Sequence, residues 1–208
     1  FIQVSTDEVY GSIMVGCAPY QEWESINPSN PYSASKAAQE AIAIAYWRTY
    51  GVPLVIVNCM NAFGERQDRE KFIPKCIRAI ESGEEVVLHG TGDNIGSRYY
   101  LHARNLSDAI LFIIHNLGIA KYPEADRPDR YNVVGGRMDN LDMACKIAKI
   151  MGKTLAYRFD HNPRSRPGHD LHYGLDGSKL AALGWKAPLD LDTSLERTVK
   201  WTMINPDW

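Results

Sequence analysis

Two short apolar segments with a helix-forming segment between them constrain the fold of this chain more than any other feature. Residues 1–5 and 53–59 have the composition of strands that are buried on both faces of a sheet. Residues 35–50 are rich in alanine and are followed by Gly51, which is typical of a helix that ends at a glycine. Because a strand, a helix and a strand in this order form a β-α-β unit, the two strands are predicted to run parallel.

The rest of the chain is predicted to continue as helices and strands, which makes it an α/β protein. The further predicted helices are 72–82, 105–116, 140–151, 177–183 and 193–204, and the further predicted strands are 85–90, 99–102, 131–136 and 155–159.

The glycines of HGTGDNIG hint at a phosphate-binding loop. We reject that interpretation because the following residues read as a strand, whereas such a loop leads into a helix.

Composition excludes two classes of partner. The 208 residues carry 23 basic and 25 acidic side chains, a formal net charge of −2, so we predict no binding to nucleic acid or to an anionic membrane. No run of about 18 apolar residues occurs, so no membrane span is predicted.

The four cysteines lack a CxxC spacing, so we expect unpaired thiols in a reducing cytoplasm and no metal site.

A tyrosine and a lysine lie one helical turn apart near the start of the first predicted helix. Tyr32 and Lys36 are four positions apart, so their side chains are expected on one face of the helix, which Ser33 or Ser35 is predicted to cap. An ammonium beside a phenol stabilises the phenolate, so Lys36 is expected to lower the pKa of Tyr32 and make it a base near neutral pH. Taken alone, the spacing is common enough to arise by chance on a solvated helix face.

Polar side chains follow each of the two predicted strands. Thr6, Asp7 and Glu8 come directly after the first strand, and Asn61 follows the second. In a parallel sheet, ligands bind outside the carboxyl ends of the strands. The helix that carries the tyrosine and the lysine connects these strands, so all of these groups are expected to converge on one crevice. Without that convergence, the acidic pair would read as part of a solvated loop.

Five segments occur in an order that is found in one enzyme family. They are STDEVYG, NPYSASKA, NCMNAFG, EKFIP and RPGHD. In this order they resemble the nucleotide-sugar 4,6-dehydratases of the extended short-chain dehydrogenase/reductase superfamily, most closely those that act on dTDP-glucose. The resemblance covers essentially all 208 residues. It implies the C-terminal part of a Rossmann-type doubly wound parallel sheet with a smaller α/β substrate-binding domain, and roughly a hundred further residues with a Gly-rich loop upstream of Phe1.

The resemblance also implies a division into two domains. The expected NAD-binding Rossmann part is 1–64 with 98–135, and the expected nucleotide-sugar-binding domain is 65–97 with 136–208. The substrate site is expected between the two parts.

A cytoplasmic homodimer is expected as well, because enzymes of this superfamily usually pair through helices. The outward apolar face of the first helix, with Ile42, Ala45 and Tyr46, could pair with a second copy or pack against the sheet.

The implied reaction is that of a hydro-lyase in deoxysugar biosynthesis, with NAD as cofactor and a 4-keto-6-deoxy sugar as product. Tyr32 would take the proton of the C4 hydroxyl, and Thr6 would hydrogen-bond that oxygen. Lys36 would hold the nicotinamide ribose. Glu8 would remove the C5 proton as a base, and Asp7 would protonate the departing C6 hydroxyl. One carboxyl group must then be ionised and the other protonated, so their surroundings have to move their pKa values apart.

The family resemblance extends to residues that bind the ligands. The cofactor-binding residues that it implies are Ser5, Tyr32, Lys36 and Ala62. The substrate-binding residues that it implies are Thr6, Asn61, Lys71, Phe72, Arg98, Asn140, Arg166 and His169. Of these, Arg166 is expected on the diphosphate, because guanidinium groups pair well with phosphate oxygens. Lys71 could equally be a solvated lysine, and His169 is expected to structure its loop or to lie on the nucleotide side.

The sequence departs from the family pattern at a few positions. Ala62 stands where the family usually has a second asparagine, so one contact with the cofactor is lost or is made by the backbone. The usual continuation NYGP is replaced by a stretch with Glu65 and Arg66. The expected arginine falls on Gly96, and Arg98 could substitute for it from a shifted loop. These departures put the identity of the nucleotide in doubt more than the type of reaction.

Two alternatives stay open. The first is a nucleotide-sugar epimerase or decarboxylase of the same superfamily. Asp7 argues against it, because the strand end of the related epimerases usually carries serine and small residues, and the decarboxylases lack the aspartate before the glutamate. The second is a relative that binds a nucleotide sugar or a dinucleotide without catalysis. The intact pair of Tyr32 and Lys36 argues against it, because a pure binding protein has no need of that pair.

Overall fold

Helices and strands alternate along the computed structural model of the protein, which describes residues 1–13, 16–91, 94–162 and 172–208. The strands are β1 (Ile2–Thr6), β2 (Val55–Cys59), β3 (Asn61–Phe63), β4 (Val86–Thr91), β5 (Asn94–Ile95), β6 (Ser97–His102), β7 (Asp129–Val133), β8 (Gly136–Asp139) and β9 (Tyr157–Asp160). The α-helices are α1 (Pro31–Tyr50), α2 (Phe72–Ser82), α3 (Ala103–Asn116), α4 (Asn140–Met151), α5 (Ser178–Ala182) and α6 (Leu191–Ile204). A short 3-10 helix, Asp7–Tyr10, follows β1 directly.

The first sheet is parallel and has the strand order β1-β2-β7. Ile2 pairs with Val55 and Thr6 pairs with Cys59, so β1 and β2 end at the same edge of the sheet. Helix α1 connects these two strands, which confirms the predicted β-α-β unit. The carboxyl ends of β1 and β2 therefore lie side by side at the edge where ligands bind in α/β folds.

Asn30 caps helix α1, and the predicted cap at Ser33 or Ser35 is wrong. The side chain of Asn30 accepts a hydrogen bond of 2.9 Å from the backbone N–H of Ser33, and the Ser33 hydroxyl oxygen accepts one of 3.2 Å from the backbone N–H of Asn30. This reciprocal pair is a capping box, in which Ser33 is the third helical residue and not the cap. Pro31 occupies the first helical position, where its missing N–H costs nothing.

The other two sheets are small and mixed. β6 pairs in parallel with β3 and antiparallel with β8. β4 pairs antiparallel with β5 and in parallel with β9. Gly135, just before β8, is needed here because a Cβ atom at this position would lie 2.0 Å from the carbonyl oxygen of Tyr100. The short strands β3, β5 and β8 were not predicted. The segment rejected as a phosphate loop contributes residues 89–91 to β4 and 94–95 to β5, and it leads into the strand β6 and not into a helix.

Two large apolar clusters hold these layers together. One lies between α2, α4 and α6 and the strands beside them, and it includes Ile77, Leu88 and Ile147. The other surrounds the first sheet, where Leu180 and Trp185 pack beside Val55 and neighbouring residues.

Within the described ranges, no helix is both long and apolar enough to cross a membrane. The division into a cofactor domain and a substrate domain stays a prediction.

Candidate active site

The carboxyl end of β1 turns directly into the 3-10 helix that carries the two acids. Thr6 caps this helix, since its Oγ1 accepts a hydrogen bond of 3.3 Å from the backbone N–H of Glu8. The same hydroxyl donates a hydrogen bond of 3.0 Å to Oδ1 of Asp7. The local fold of three successive residues therefore fixes the position of both acids at the edge of the sheet.

Asp7 is a buried carboxyl group. Its side chain is only 4% exposed, and burial raises its pKa from 3.8 to about 7. The hydrogen bond from Thr6 opposes this increase, the charge of Glu8 adds to it, and the charge of Arg98 opposes it. Because its pKa lies near neutrality, Asp7 carries a proton in a large fraction of molecules at pH 7 and is suited to act as a general acid.

Asn30 joins the start of α1 to the second acid. Its Nδ2 donates a hydrogen bond of 3.1 Å to Oε2 of Glu8, and its Oδ1 caps the helix. The first turn of α1, which carries Tyr32, is therefore tied to the 3-10 helix. Sequence reasoning missed Asn30, although an asparagine directly before a proline at a helix start is a recognisable cap signal.

Tyr32 lies beside the acids with its ring 55% exposed. Burial raises the pKa of its phenol above the usual value, and the charge of Glu8 raises it further. Cys59 and Asp7 add smaller increases, whereas a side-chain hydrogen bond with Thr6 lowers it. The structure thus brings together four of the residues that were predicted to be catalytic.

The prediction that Lys36 lowers the pKa of Tyr32 is wrong for this structure. Nζ of Lys36 donates hydrogen bonds to the backbone carbonyl of Val4 at 2.8 Å and to Oε1 of Gln39 at 3.1 Å. Its ammonium is thus directed at β1, while burial, followed by the charge of Glu8, raises the pKa of Tyr32. Lys36 does lower the pKa of Cys59, although burial dominates and raises that pKa to about 11.

Three residues that were predicted to contact the ligands lie near the acids in sequence or just beyond β2, with Ser5 in β1 and Asn61 and Ala62 in β3. Ser5 is buried, and its Oγ has no hydrogen-bond partner among the residues that the structure describes. Asn61 and Ala62 are exposed in β3, which follows β2 almost at once. The carbonyl oxygen of Ala62 accepts a hydrogen bond of 2.9 Å from Nε2 of Gln67.

Arg98 lies within strand β6 and not in a shifted loop. It is buried, its Nη1 donates a hydrogen bond of 2.7 Å to the carbonyl of Ser97, and its guanidinium carbon lies 5.0 Å from the centre of the Tyr173 ring. Burial lowers its pKa, although the charges of Asp7 and Glu8, among others, oppose that effect. Arg98 therefore acts electrostatically on the acid pair, which the sequence did not indicate.

The remaining predicted substrate residues lie on other elements. Lys71 is exposed at the N-cap of α2, and Phe72 is the first residue of that helix. Oδ1 of Asn140, at the start of α4, accepts a hydrogen bond of 2.8 Å from the Tyr100 hydroxyl. Arg166 and His169 lie outside the described residues.

A buried network beneath the site was not anticipated either. Asn58 donates hydrogen bonds of 3.1 Å to the carbonyl of Thr6 and to Oε1 of Glu40, and Glu40 is paired with Arg130. The sequence did contain an indication of this network, because Glu40 follows Ser33 by seven positions and therefore lies on the same buried face of α1.

In the part of the chain that the structure describes, no group of three or more His, Cys, Asp or Glu side chains could hold a metal ion.

The fold and the site define a Rossmann-type α/β protein in which a tyrosine and two adjacent carboxyl groups meet at the carboxyl ends of parallel strands. The family model described as GDP-mannose 4,6 dehydratase matches residues 1–198, and the chain belongs to that family.

Curated relatives and solved structures agree with this assignment. The chain is 36% identical over 215 residues to a probable dTDP-glucose 4,6-dehydratase of Sinorhizobium fredii, covering 100% of this chain and 58% of the relative. It is 36% identical over 212 residues to a trifunctional UDP-glucose 4,6-dehydratase of Arabidopsis thaliana, covering 100% of this chain and 30% of the relative. A dTDP-glucose 4,6-dehydratase of Bacillus anthracis, solved in complex with NAD, superposes with a TM-score of 0.84 at 30% identity, covering 100% of this chain and 62% of that one. The chain thus spans less than two thirds of the length of these relatives.

Proposed function

We propose that this chain carries the acid–base machinery of an NAD-dependent nucleotide-sugar 4,6-dehydratase, a hydro-lyase whose preferred substrate is dTDP-glucose. The observation that carries the proposal is the buried carboxyl of Asp7, with its pKa raised to about 7, hydrogen-bonded to Thr6. Elimination of water needs a protonated acid next to a base, and Asp7 and Glu8 are adjacent. An epimerase has no use for an acid at C6.

The residues at the end of β1 fit the proposed cofactor. The buried Oγ of Ser5 has no hydrogen-bond partner in the described ranges, so it is available for a polar ligand. Lys36 holds an ammonium at the same strand, 2.8 Å from the carbonyl of Val4. We propose that Ser5, Tyr32, Lys36 and the backbone of Ala62 hold the nicotinamide side of NAD. When bound, NAD would accept a hydride from C4 of the sugar and return it to C6.

The first half of the proposed reaction uses the hydroxyl groups of the site. Tyr32 acts in its phenolate form and takes the proton of the C4 hydroxyl as C4 is oxidised to a ketone, while Thr6 hydrogen-bonds the same oxygen. This division of labour is supported by the effect of the Thr6 side chain on Tyr32, since Thr6 lowers the pKa of that phenol. Because the pKa of Tyr32 is raised in this structure, the phenolate is a minor form of the residue at neutral pH. The ketone acidifies the neighbouring C5 proton.

The second half uses the two acids. Glu8 takes the proton from C5, and Asp7 gives its own proton to the C6 hydroxyl, which leaves as water. With hydride delivered to C6 and a proton returned to C5, the product is a 4-keto-6-deoxy sugar. Each proton transfer of this kind typically contributes roughly 10²–10⁴-fold to the rate.

We assign the nucleotide side of the substrate to residues from both proposed domains, with Asn61 and Arg98 from the cofactor domain and the others from the substrate domain. The proposed ligands are Asn61, Lys71, Phe72, Arg98, Asn140, Arg166 and His169. In this assignment 1–64 and 98–135 form the cofactor domain, while 65–97 and 136–208 form the substrate domain. The substrate domain then also contributes Leu180 and Trp185 to the core beneath the first sheet.

The same proposal includes a cytoplasmic homodimer. Ile42 and Tyr46 project from α1 with 60% and 54% of their surface exposed, which suits a helix that pairs with a second copy. The free thiols of Cys17, Cys59, Cys76 and Cys145 suit a reducing compartment. Light scattering of the wild type and of Ile42→Glu would test the dimer, because a charge on this face should yield monomers.

A direct assay tests the reaction. The complete gene product is incubated with dTDP-glucose, and the alkali-induced absorbance of a 4-keto sugar is followed, with UDP-, GDP- and CDP-hexoses in parallel. We expect a signal with dTDP-glucose that exceeds the others. Formation of a C4 epimer without loss of water would identify an epimerase, and no conversion of any sugar nucleotide would overturn the proposal.

A further inference from the structure

An ion pair is buried beneath the candidate active site. Glu40 of α1 and Arg130 of β7 are 0% and 1% exposed, and Nη2 of Arg130 donates a hydrogen bond to Oε2 of Glu40. Neither side chain has a role in the proposed proton transfers. The question is therefore what these two charges do in the interior.

The carboxylate side of the pair reaches the strand that ends in the acids. Nδ2 of Asn58 donates a hydrogen bond of 3.1 Å to Oε1 of Glu40 and another of 3.1 Å to the carbonyl of Thr6. Asn58 lies in β2 opposite Ser5, so it bridges α1 and the last residue of β1. The carbonyl that it holds belongs to the residue that caps the 3-10 helix.

The guanidinium side reaches the far end of that 3-10 helix. Nη1 of Arg130 donates a hydrogen bond of 2.9 Å to the hydroxyl of Tyr10, the last residue of the helix. The guanidinium carbon lies 4.2 Å from the centre of the Trp23 ring, which limits its movement. The turn from Thr6 to Tyr10 is thus held at both ends by one network, and that network is anchored on the helix that carries Tyr32.

Stability alone does not account for such a pair. Desolvating two charges offsets much of their attraction, and buried pairs can often be replaced by apolar residues of similar volume without loss of stability. Nε of Arg130 also has no hydrogen-bond partner among the described residues, which adds to the cost. What the pair supplies is geometry, because its hydrogen bonds are satisfied only in one arrangement of α1, β1 and the 3-10 helix.

We infer that Glu40, Asn58 and Arg130 are positioning residues, which fix the turn from Thr6 to Glu8 relative to Tyr32. This inference rests on the proposed function, since it assigns the network to the alignment of that site. Its physical basis is that displacement of a reacting group by about 1 Å can lower a rate on the order of 10²-fold.

The kinetic test uses the double variant Glu40→Leu with Arg130→Met in the complete gene product. It removes both charges but keeps apolar volume in their place. We expect kcat to fall roughly 10- to 100-fold while KM stays within about threefold. The conservative variant Arg130→Lys should also lose kcat, because an ammonium on a single nitrogen cannot reproduce the contacts that two guanidinium nitrogens make with Glu40 and Tyr10. Asp108→Asn, which perturbs the hydrogen bond from Trp185 Nε1 at 2.8 Å, is the matched control and should leave kcat unchanged.

Hydrogen exchange provides a measurement that does not depend on activity. In the double variant, amides of residues 5–11 should exchange about tenfold faster, while those of α4 keep the wild-type rate. If wild type converts no sugar nucleotide but this local change occurs, the proposed function fails and the positioning role stands. Unchanged exchange at 5–11, or faster exchange throughout the chain, would overturn the positioning role, and so would an unchanged kcat in an active enzyme.

Discussion

The hydroxyl of Thr6 donates a hydrogen bond of 3.0 Å to Oδ1 of Asp7 while its oxygen accepts the backbone N–H of Glu8. One side chain thus sets the position of the first acid and the backbone of the second. The hydrogen bond to Asp7 also restrains the pKa increase that burial imposes on it. Thr6 therefore places both acids and also tunes the pKa of Asp7.

Asp7→Asn should separate the two halves of the proposed reaction. The amide keeps the shape of the side chain but has no carboxylic acid proton to give to the C6 hydroxyl. We expect loss of water to slow roughly 10²–10⁴-fold, while oxidation at C4 continues. Mass spectrometry of quenched single turnovers should then detect a 4-keto hexose that retains its C6 oxygen. Equal slowing of C4 oxidation and of water loss would contradict the assigned role of Asp7.

The pH dependence of kcat should follow Asp7 on its alkaline side. The acid step needs the protonated form, and the pKa is about 7, so kcat should decline as the pH rises above that value. Thr6→Val removes the hydrogen bond that lowers this pKa, so the decline should move to higher pH. The measurement is a pH–rate profile of both proteins. A shift to lower pH in Thr6→Val would be the wrong sign and would rule out this account.

Asp7 should also lower the stability of the protein at neutral and higher pH. Its folded pKa of about 7 exceeds its unfolded value of 3.8, so the folded state binds the proton more tightly. Stability therefore falls as the pH rises between these values, and the full cost is present above about pH 7. Asp7→Asn removes that cost, so it should raise the free energy of unfolding by about 2–4 kcal/mol at about pH 8 and by almost nothing near pH 4. Urea unfolding at the two pH values provides the check, and an equal effect at both would exclude this cause.

Helix boundaries could be predicted where a local signal determines them. Helices α2 and α4 span the predicted 72–82 and 140–151, because each is followed by a glycine in the left-handed conformation, Gly83 with φ of 74° and Gly152 with φ of 66°. The strands β3 and β8 have three and four residues and exist through their pairing with β6. No pattern within such short segments reports a partner that lies far along the chain.

The residue types of the site were predictable, but its electrostatics were not. Burial and the charge of Glu8 raise the pKa of Tyr32, while the ammonium of Lys36 contacts the carbonyl of Val4, which lies 32 residues away in sequence. The pair of Glu40 and Arg130 joins positions that are 90 residues apart. Spacing along one helix predicts which side chains share a face, but it does not identify the partner that each of them meets in the folded chain.

Tyr32→Phe should slow turnover strongly without affecting the fold. Tyr32 as a whole residue is 55% exposed, and no proposed structural role depends on its hydroxyl. We expect kcat to fall roughly 10²–10⁴-fold, and the free energy of unfolding to change by less than about 0.5 kcal/mol. Tyr46→Phe, on the exposed face of the same helix, is the matched control for loss of a tyrosine hydroxyl. Comparable loss of activity in the two variants would contradict the assignment of Tyr32 as the base.

The buried pair should behave differently when one partner is removed than when both are. Arg130→Met leaves the carboxylate of Glu40 in the interior with a hydrogen bond from Asn58 but without its counter-charge, so we expect a loss of about 3–5 kcal/mol of stability. Glu40→Leu with Arg130→Met leaves no buried charge, so its stability should lie within about 1 kcal/mol of the wild type. Urea unfolding of the two variants and the wild type measures both differences. A double variant as unstable as Arg130→Met would mean that the ion pair supports the fold itself, and that its loss of kcat could not be attributed to the position of the acids.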